Sequence, residues 1–488
     1  MTQASLDLGL APRDAEVEVI LSLLPGSSRE DVEPLLHDLG TASLTPYWRL
    51  GNDWVLVSGR VEDVGGALSV QLRRYIARSG VEFIAPTTTP SVPAAWRPLV
   101  RGLDVLNGYP RAGSMAVRAG GMTPNDVVTA YNMRPLHELG IDGSGQTVVV
   151  TVPGDGYRQA ALDEFTSRFG LPPLTLVSKA DDPLMIEAGA ELEMDVETIH
   201  AIAPGARILV YASAKTSIGS MLEIQDRAVV ENPGAILSQS WGWCEPITPT
   251  AVLDANEAIY ELAAEARTTA FFSSGDNGAF SCLTENDDWG RPPSDDRIGA
   301  HMGASMPGIT SVGGTRLSLR EDGSYYHETA WTWPAGTSGS GGGHSTYYAQ
   351  PPWQFGPGIP EPVEGAKRLY PDIAADAESG MAIYLTKYGW TTGGGTSQSV
   401  PIWAGMTALI NGYLARQELP PVGFLTPLLY QLARDPQPFP PFHDIVQGSN
   451  LVEPTVSGYD TTTGLGSPDA WNLARDLEQL LRASGGTP

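Results

Sequence analysis

The sequence is short of positive charge. Its 488 residues carry 30 Lys and Arg against 56 Asp and Glu, a formal net charge of −26 and a pI near 4.5. Such a chain repels nucleic acid and anionic membrane surfaces, so neither is an expected partner. A surface poor in bases also gains little positive charge as the medium turns acidic, which suits work at low pH. No apolar run approaches the roughly 20 residues needed to cross a bilayer. Residues 1–19 mix Asp, Arg and Glu among apolar positions and lack the basic start and unbroken apolar stretch of a secretory signal. A leader removed earlier, another export route and an intracellular location all stay open. Only two cysteines occur, Cys244 and Cys282. Two thiols alone do not fix the redox compartment, and free buried thiols are the plain expectation.

What is present falls into three zones. Residues 1–85 alternate short strand and helix patterns, with strands expected at 16–24 and 54–57 and helices at 28–39 and 61–75. This predicts a small α+β unit. Residues 86–121 are rich in Pro, Thr and Gly and read as an extended, easily cut linker. From 122 to 488, near-continuous apolar runs at 147–152, 207–211, 235–239 and 269–272 are separated by helical stretches. Runs of this kind suit strands buried on both faces, so the class is α/β, a parallel sheet covered by helices. No internal repeat is present.

The sharpest chemical signal is Gly393-Gly394-Gly395-Thr396-Ser397-Gln398-Ser399-Val400-Pro401, ahead of an apolar helix over 402–414. A glycine turn before a helix exposes a serine hydroxyl beside free backbone N–H groups that can face a developing oxyanion. A simple serine N-cap explains any shorter fragment of this run. Two unrelated peptidase groups use Gly-Thr-Ser-x-x-x-Pro, so the motif nominates Ser397 without choosing its base. The seven histidines are His37, His137, His200, His301, His327, His344 and His443, and none stands in a His-Gly-Thr setting. Carboxylates offer an alternative. Glu191 and Asp195, four apart on an expected helix that stops at Pro204-Gly205, project from one face and can share a proton. A solvated acidic helix face is the bland alternative, weakened because a sheet strand follows at once. Phe271-Phe272-Ser273-Ser274-Gly275-Asp276-Asn277-Gly278 ends a strand in a turn that presents Asp276 at the carboxyl edge of the sheet, where open α/β folds bind ligands. Ser238-Gln239-Ser240-Trp241-Gly242 ends another strand and is expected to put Trp241 on the same rim.

In order along the chain, Glu191 and Asp195, Ala203-Pro204-Gly205-Ala206, Ser240-Trp241-Gly242, Ser274 to Gly278, and Gly394-Gly395-Thr396-Ser397 with Pro401 resemble the sedolisins, the serine-carboxyl peptidases. Further matches are residues 340–345 before Pro352-Trp353-Gln354, and Pro371-Asp372-Ile373. The resemblance implies a subtilisin-like parallel sheet flanked by helices. It implies Ser397 as nucleophile, Glu191 as general base, Asp195 as its orienter, and a protonated Asp276 in the oxyanion hole. It implies one structural calcium ion in a loop at about 442–468, held by the Asp444 and Asp460 side chains with the carbonyls of Ile445, Val456 and Gly458. Residues 1 to about 120 take the place of the family's prosegment, an intramolecular inhibitor removed in acid by a cut at 112–123. The expected partners are protein or peptide substrates, with the enzyme itself a monomer. Val152 stands where many members carry a glutamate, Val456 replaces a loop glycine, and His344 replaces a small residue. Cys244 and Cys282 fall where some members form a disulfide, and a pairing would imply secretion. The rival readings are a histidine-based subtilisin-type peptidase, perhaps using Asp155, and a catalytically silent peptide-binding homologue.

Overall fold

Alternate residues of the strand Thr147–Pro153 enter two different apolar cores. Val148, Val150 and Val152 pack with Leu192, Met194, Ile199, Val400 and Trp403 on one side, while Val149 packs with Leu222, Val229, Val252 and Ile259 on the other. A strand's period of two, with both faces covered, produces the unbroken valine run seen in the sequence. The computed structural model describes residues 6–76, 82–88, 90–106, 121–179, 186–282, 297–333 and 338–485.

The central sheet has eight strands. Its order is Tyr325–Ala330, Thr310–Leu319, Thr269–Ser273, Ile236–Gln239, Thr147–Pro153, Arg207–Ser213 and Thr175–Ser178, with Ile373–Asp376 also paired to Thr310–Leu319. All pairings are parallel except that of Tyr325–Ala330 with its neighbour. Thr147–Pro153 lies between the strands that follow it in sequence, so the chain order reverses there. Beyond the carboxyl ends of strands at such a reversal lies a crevice where open α/β sheets place ligands. The turns after Pro153, Gln239 and Ser273 all open there.

Helices Glu191–Ile202 and Thr396–Arg416 cover one face, Ile218–Glu231 and Thr250–Glu265 the other. The first two approach closely at Gly405, where a Cβ would lie 3.0 Å from Ile202. Both are buried almost throughout; Thr396–Arg416 is largely apolar, whereas Glu191–Ile202 takes Glu193, Asp195, Glu197 and His200 into the interior with it. The fold is the expected subtilisin-like one.

The N-terminal unit pairs Thr45–Tyr47, Trp54–Arg60, Glu16–Leu23 and Val100–Leu106 in one sheet, and Leu6–Leu10, Leu72–Ile76 and Glu82–Pro86 in another. Two expectations are corrected here. The helix predicted at 61–75 is Val61–Leu68, ended by Ser69 in the left-handed conformation, and the chain continues as a strand. Val100–Leu106, inside the segment read as linker, pairs with Glu16–Leu23, so the unit reaches Leu106. Its apolar residues alternate too weakly to declare a strand without the partner. Residues 112–120 of the expected cleavage window lie outside the described residues, while Met122 bridges to Met381 and Thr123 caps the helix Pro124–Ala130.

This unit docks on the Ile218–Glu231 and Thr250–Glu265 face. Ile20, Trp54, Leu56 and Leu106 join the apolar cluster there. Around them, Tyr47 Oη donates to Asp226 at 2.8 Å and Arg49 pairs with the same carboxylate at 2.7 Å. Glu18 accepts from Ser217 Oγ at 2.8 Å and from Gly219 N at 3.1 Å, at the start of the Ile218–Glu231 helix.

Candidate active site

Ser397 is the second residue of its helix, after Gly395 at φ +75° and Thr396. Only glycine reaches Gly395's conformation without strain, and a Cβ there would lie 2.3 Å from Asp276 Oδ2. Thr396 donates to Asp276 Oδ1 from both its N–H and its hydroxyl at 2.8 Å, and accepts from Gly275 N at 3.1 Å. The two turns are thereby stitched together. Burial pushes the Asp276 carboxyl up, and the Thr396 donors pull it partly back.

Glu191 opens the helix that carries Asp195 a turn later. Burial pushes Glu191 well above the usual carboxylate range and the charge of Asp195 pushes it further, while the nearby Ser397 hydroxyl acts the other way. That hydroxyl itself makes a long hydrogen bond, 3.5 Å, to the Ser240 carbonyl. Burial likewise pushes Asp195 well up. Glu191 Oε1 and Asp195 Oδ2 have no hydrogen-bond partner among the described residues. Two crowded buried carboxyls of this kind titrate as a pair and hold one proton between them over a wide range. The bland reading of a solvated helix face is overturned, because even Glu193 and Glu197 are buried. Those two point away from the pair and anchor the neighbouring strand, Glu193 through Thr386 N at 2.7 Å and Glu197 through Tyr384 N at 2.8 Å.

The structure therefore brings Ser397, Glu191, Asp195 and Asp276 together. It adds Ser240, whose Oγ lies 3.2 Å from both Asp195 Oδ1 and the Ser397 carbonyl. Pro401 explains the second contact. Lacking an N–H, it leaves the carbonyl four residues earlier without its helical partner, and Ser240 is placed to supply one. The proline of Ser-x-x-x-Pro was the available signal for this contact, although it did not identify the donor. Trp241, expected on the rim, is buried instead. Its indole donates to the Thr151 carbonyl at 3.0 Å and stacks on Trp243. Asp155 lies beside the start of the Glu191 helix and not beside a histidine. No histidine hydrogen-bonds Ser397 among the described residues. Burial depresses His200 and His301 to about 4. His344 is exposed on the strand Gly343–Ala349.

The second candidate site lies behind the Asp276 turn. Asp444 accepts from Ser457 Oγ and Gly458 N, both at 3.0 Å. Asp460 accepts from Val456 N at 3.2 Å and from Thr463 N at 2.8 Å. Two carboxylates thus close on one turn, 456–458, whose carbonyls would complete an oxygen shell. Among the described residues no group of three or more His, Cys, Asp or Glu forms a metal cluster. The loop reaches the Asp276 turn through Asn450, which donates to the Thr461 carbonyl at 3.3 Å and accepts from Ala279 N at 3.1 Å. Cys244 and Cys282 are joined in a disulfide, so the expectation of free thiols fails.

Comparison with known proteins fixes the class and then the family. No family model matches the chain. The epidermin leader peptide-processing serine protease of Staphylococcus aureus shares the fold at a TM-score of 0.53 and 12% identity over 95% of this chain and all of that one. Pseudomonas sedolisin, solved in complex with pseudo-iodotyrostatin, superposes at a TM-score of 0.63 with 27% identity, covering 75% of this chain and 99% of that one. Kumamolisin of Bacillus sp. (strain MN-32) is 30% identical over 461 residues, 86% of this chain and 78% of its own. Sedolisin of Pseudomonas sp. (strain 101) is 27% identical over 464 residues, 88% and 75% respectively. The chain belongs to the sedolisin family and is a serine-type peptidase.

Proposed function

We propose that the chain is an acid-acting endopeptidase, made as a zymogen, in which Ser397 attacks the substrate and carboxylates move the protons. The observation that carries this reading is the Ser397 turn joined through Ser240 to Asp195, with the half-buried Glu191 crowded by Asp195 and its Oε1 closed off from solvent without a hydrogen-bond partner. A base is useful only where it is deprotonated, and an imidazole near 6.5 is not deprotonated in acid. The Glu191–Asp195 pair, holding one proton and one negative charge, still is. As Ser397 Oγ bonds to the scissile carbonyl carbon, its proton passes to Glu191. The carbonyl π pair moves onto oxygen, and protonated Asp276 donates to that oxyanion. Collapse expels the amine, which takes the proton from Glu191 and leaves an acyl-enzyme. Water, deprotonated by Glu191, repeats the attack and frees Ser397. Asp276 donates only while protonated, so activity falls as pH rises through its value.

Hydrolysis of a denatured protein is expected in acid, with internal cuts read by mass spectrometry and a steep decline toward neutrality. Activity at neutral pH that survives Glu191→Ala would overturn this in favour of a histidine base. The disulfide supports a location outside the reducing cytoplasm.

The same reading assigns calcium to the C-terminal loop. The donors are all oxygen, as a hard ion requires. Burial raises Asp460, the direction expected of a carboxylate whose compensating cation would restore it. Asp444 and Asp460 side chains and the Ile445, Val456 and Gly458 carbonyls would hold the ion, which supplies structural charge compensation and takes no part in the reaction. An ion bound only to the native state stabilises it by about 3–4 kcal/mol at 100 to 1,000 times its dissociation constant. Chelation near pH 6 should therefore lower the melting temperature by several degrees, and Asp460→Asn should make the protein indifferent to chelator. An unchanged melting temperature in wild type counts against the assignment.

A further inference from the structure

The Glu191–Ile202 helix begins with Ala190 as its N-cap residue, which offers no capping side chain. A helix leaves its first N–H groups without internal partners, and burying them unpaired is unfavourable. The missing acceptor comes from another part of the chain. After the strand Thr147–Pro153 the turn Gly154-Asp155-Gly156 runs beside 187–189, with Gly156 bridging to Ala188. Asp155 Oδ2 accepts from Glu191 N at 2.8 Å and Leu192 N at 3.2 Å. Its Oδ1 accepts from Gly156 N at 2.7 Å and from Gly189 N. Four N–H donors converge on one buried carboxyl, and an ionised carboxylate, which only accepts, is the form that such a cage fits. Burial nevertheless pushes the Asp155 carboxyl up, and the four donors pull it only partly back. The fit is close. A Cβ on Gly189 would lie 2.3 Å from Asp155 Oδ1, so a glycine there lets the carboxylate reach the helix.

We propose that Asp155 is a positioning residue of the catalytic carboxyl pair, capping the helix at Glu191 and, when ionised, setting a negative charge beside Glu191 and Asp195. The inference rests on the reading of Glu191 as the base. Capping fixes where the Glu191 backbone, and hence its carboxyl, stands relative to Ser397. The charge has a second effect. Asp155 disfavours ionisation of both Glu191 and Asp195. The other titratable groups facing the pair are Asp276, neutral in its donating form, and, across the Asp155 carboxylate, Glu193. Arg158, the nearest base in sequence, is turned to the Tyr157 and Ile186 carbonyls. Negative charge around Glu191 makes its proton harder to lose. Removing one charge should let the pair stay ionised to lower pH, moving the acidic limb of the activity profile down.

The test compares kcat and kcat/KM from pH 2.5 to 6 for the full chain activated in acid, as wild type, Asp155→Asn, Asp155→Glu and Gly189→Ala. Asp155→Asn removes the charge and places amide hydrogens against N–H donors. Its kcat is expected to fall about tenfold with KM within about twofold, and its acidic limb to move down by about half a pH unit. Asp155→Glu keeps the charge, so its limb should stay at the wild-type position. Gly189→Ala changes no charge but pushes the carboxylate off the helix, so kcat should fall with KM little changed. A role in stability alone would lower the melting temperature of these variants and leave every limb in place, which overturns the proposal. So would full activity in Gly189→Ala or a moved limb in Asp155→Glu, the variants that decide if Asp155→Asn does not fold. Glu191→Gln separates the two readings. If it stays active, Glu191 is not the base and the underlying function fails. If it is inactive while Asp155→Asn keeps the wild-type limb, only the present inference fails.

Discussion

Ser397→Ala and Glu191→Gln are each expected to lower kcat on the order of 10³-fold or more, and the double variant to fall little further. The reason is that in the proposed mechanism the two groups act in one step. Without the hydroxyl there is nothing for Glu191 to deprotonate, and without the carboxylate the hydroxyl is a poor nucleophile. Substrate contacts made elsewhere in the cleft are untouched, so KM should hold within a few-fold. Asp195→Asn should lose less than either, because Glu191 keeps its place while its proton affinity changes. Steady-state kinetics on a quenched peptide in acid measures all four. Losses that multiply in the double variant would mean two independent contributions, and near-normal turnover by either single variant would remove the catalytic unit altogether.

The parts of this molecule that could be read from sequence are those whose cause is local. A two-sided buried strand must be apolar at every position, so Val148 to Val150 declares itself without its neighbours. Glycine before Thr396-Ser397 is required by a positive φ at Gly395, a property of that one residue. Glu191 and Asp195 share a face through helix geometry alone. The parts that stayed hidden depend on partners distant in the chain. In sequence Asp155 suggests only a place in a histidine-based site, and its four donors come largely from residues more than 30 positions later. Ser240 reads as a strand end until Asp195 and Ser397 are brought to it. Val100–Leu106 resembles a linker because its strand character comes from pairing with Glu16–Leu23. Burial of Glu193 and Glu197 was hidden for the same reason. The consequence is general for this helix. Carboxyls whose native affinity for protons is raised bind them more tightly folded than unfolded. Their contribution is fully present at low pH and lost as pH rises through the native values, which suits the acid action proposed above.

Acid should convert the full chain into a fragment of roughly 120 residues and a mature enzyme, whereas Ser397→Ala protein should stay whole under the same conditions. Two contacts of the N-terminal unit bear on how easily it leaves. Asp226 is wholly buried and accepts from Tyr47, Asn52 and the Arg49 guanidinium of that unit. Removing this carboxylate leaves the Arg49 charge without its partner, and losing one partner of such an interfacial pair costs about 2–5 kcal/mol. Glu18 gives docking a pH dependence. Burial in the docked state raises it, so the docked form binds a proton more readily than the free one and this contact grows relatively stronger as pH falls. Release in acid has to overcome Glu18. Asp226→Asn should loosen the unit and process at a higher pH than wild type, while Glu18→Gln should leave the processing pH unchanged or lower it. Gel electrophoresis of each variant across a pH series, with mass spectrometry of the fragments, reads the outcome. Cleavage of Ser397→Ala protein without added protease would remove self-processing, and an Asp226→Asn chain that processes only at the wild-type pH would remove this cluster as a hold on the N-terminal unit.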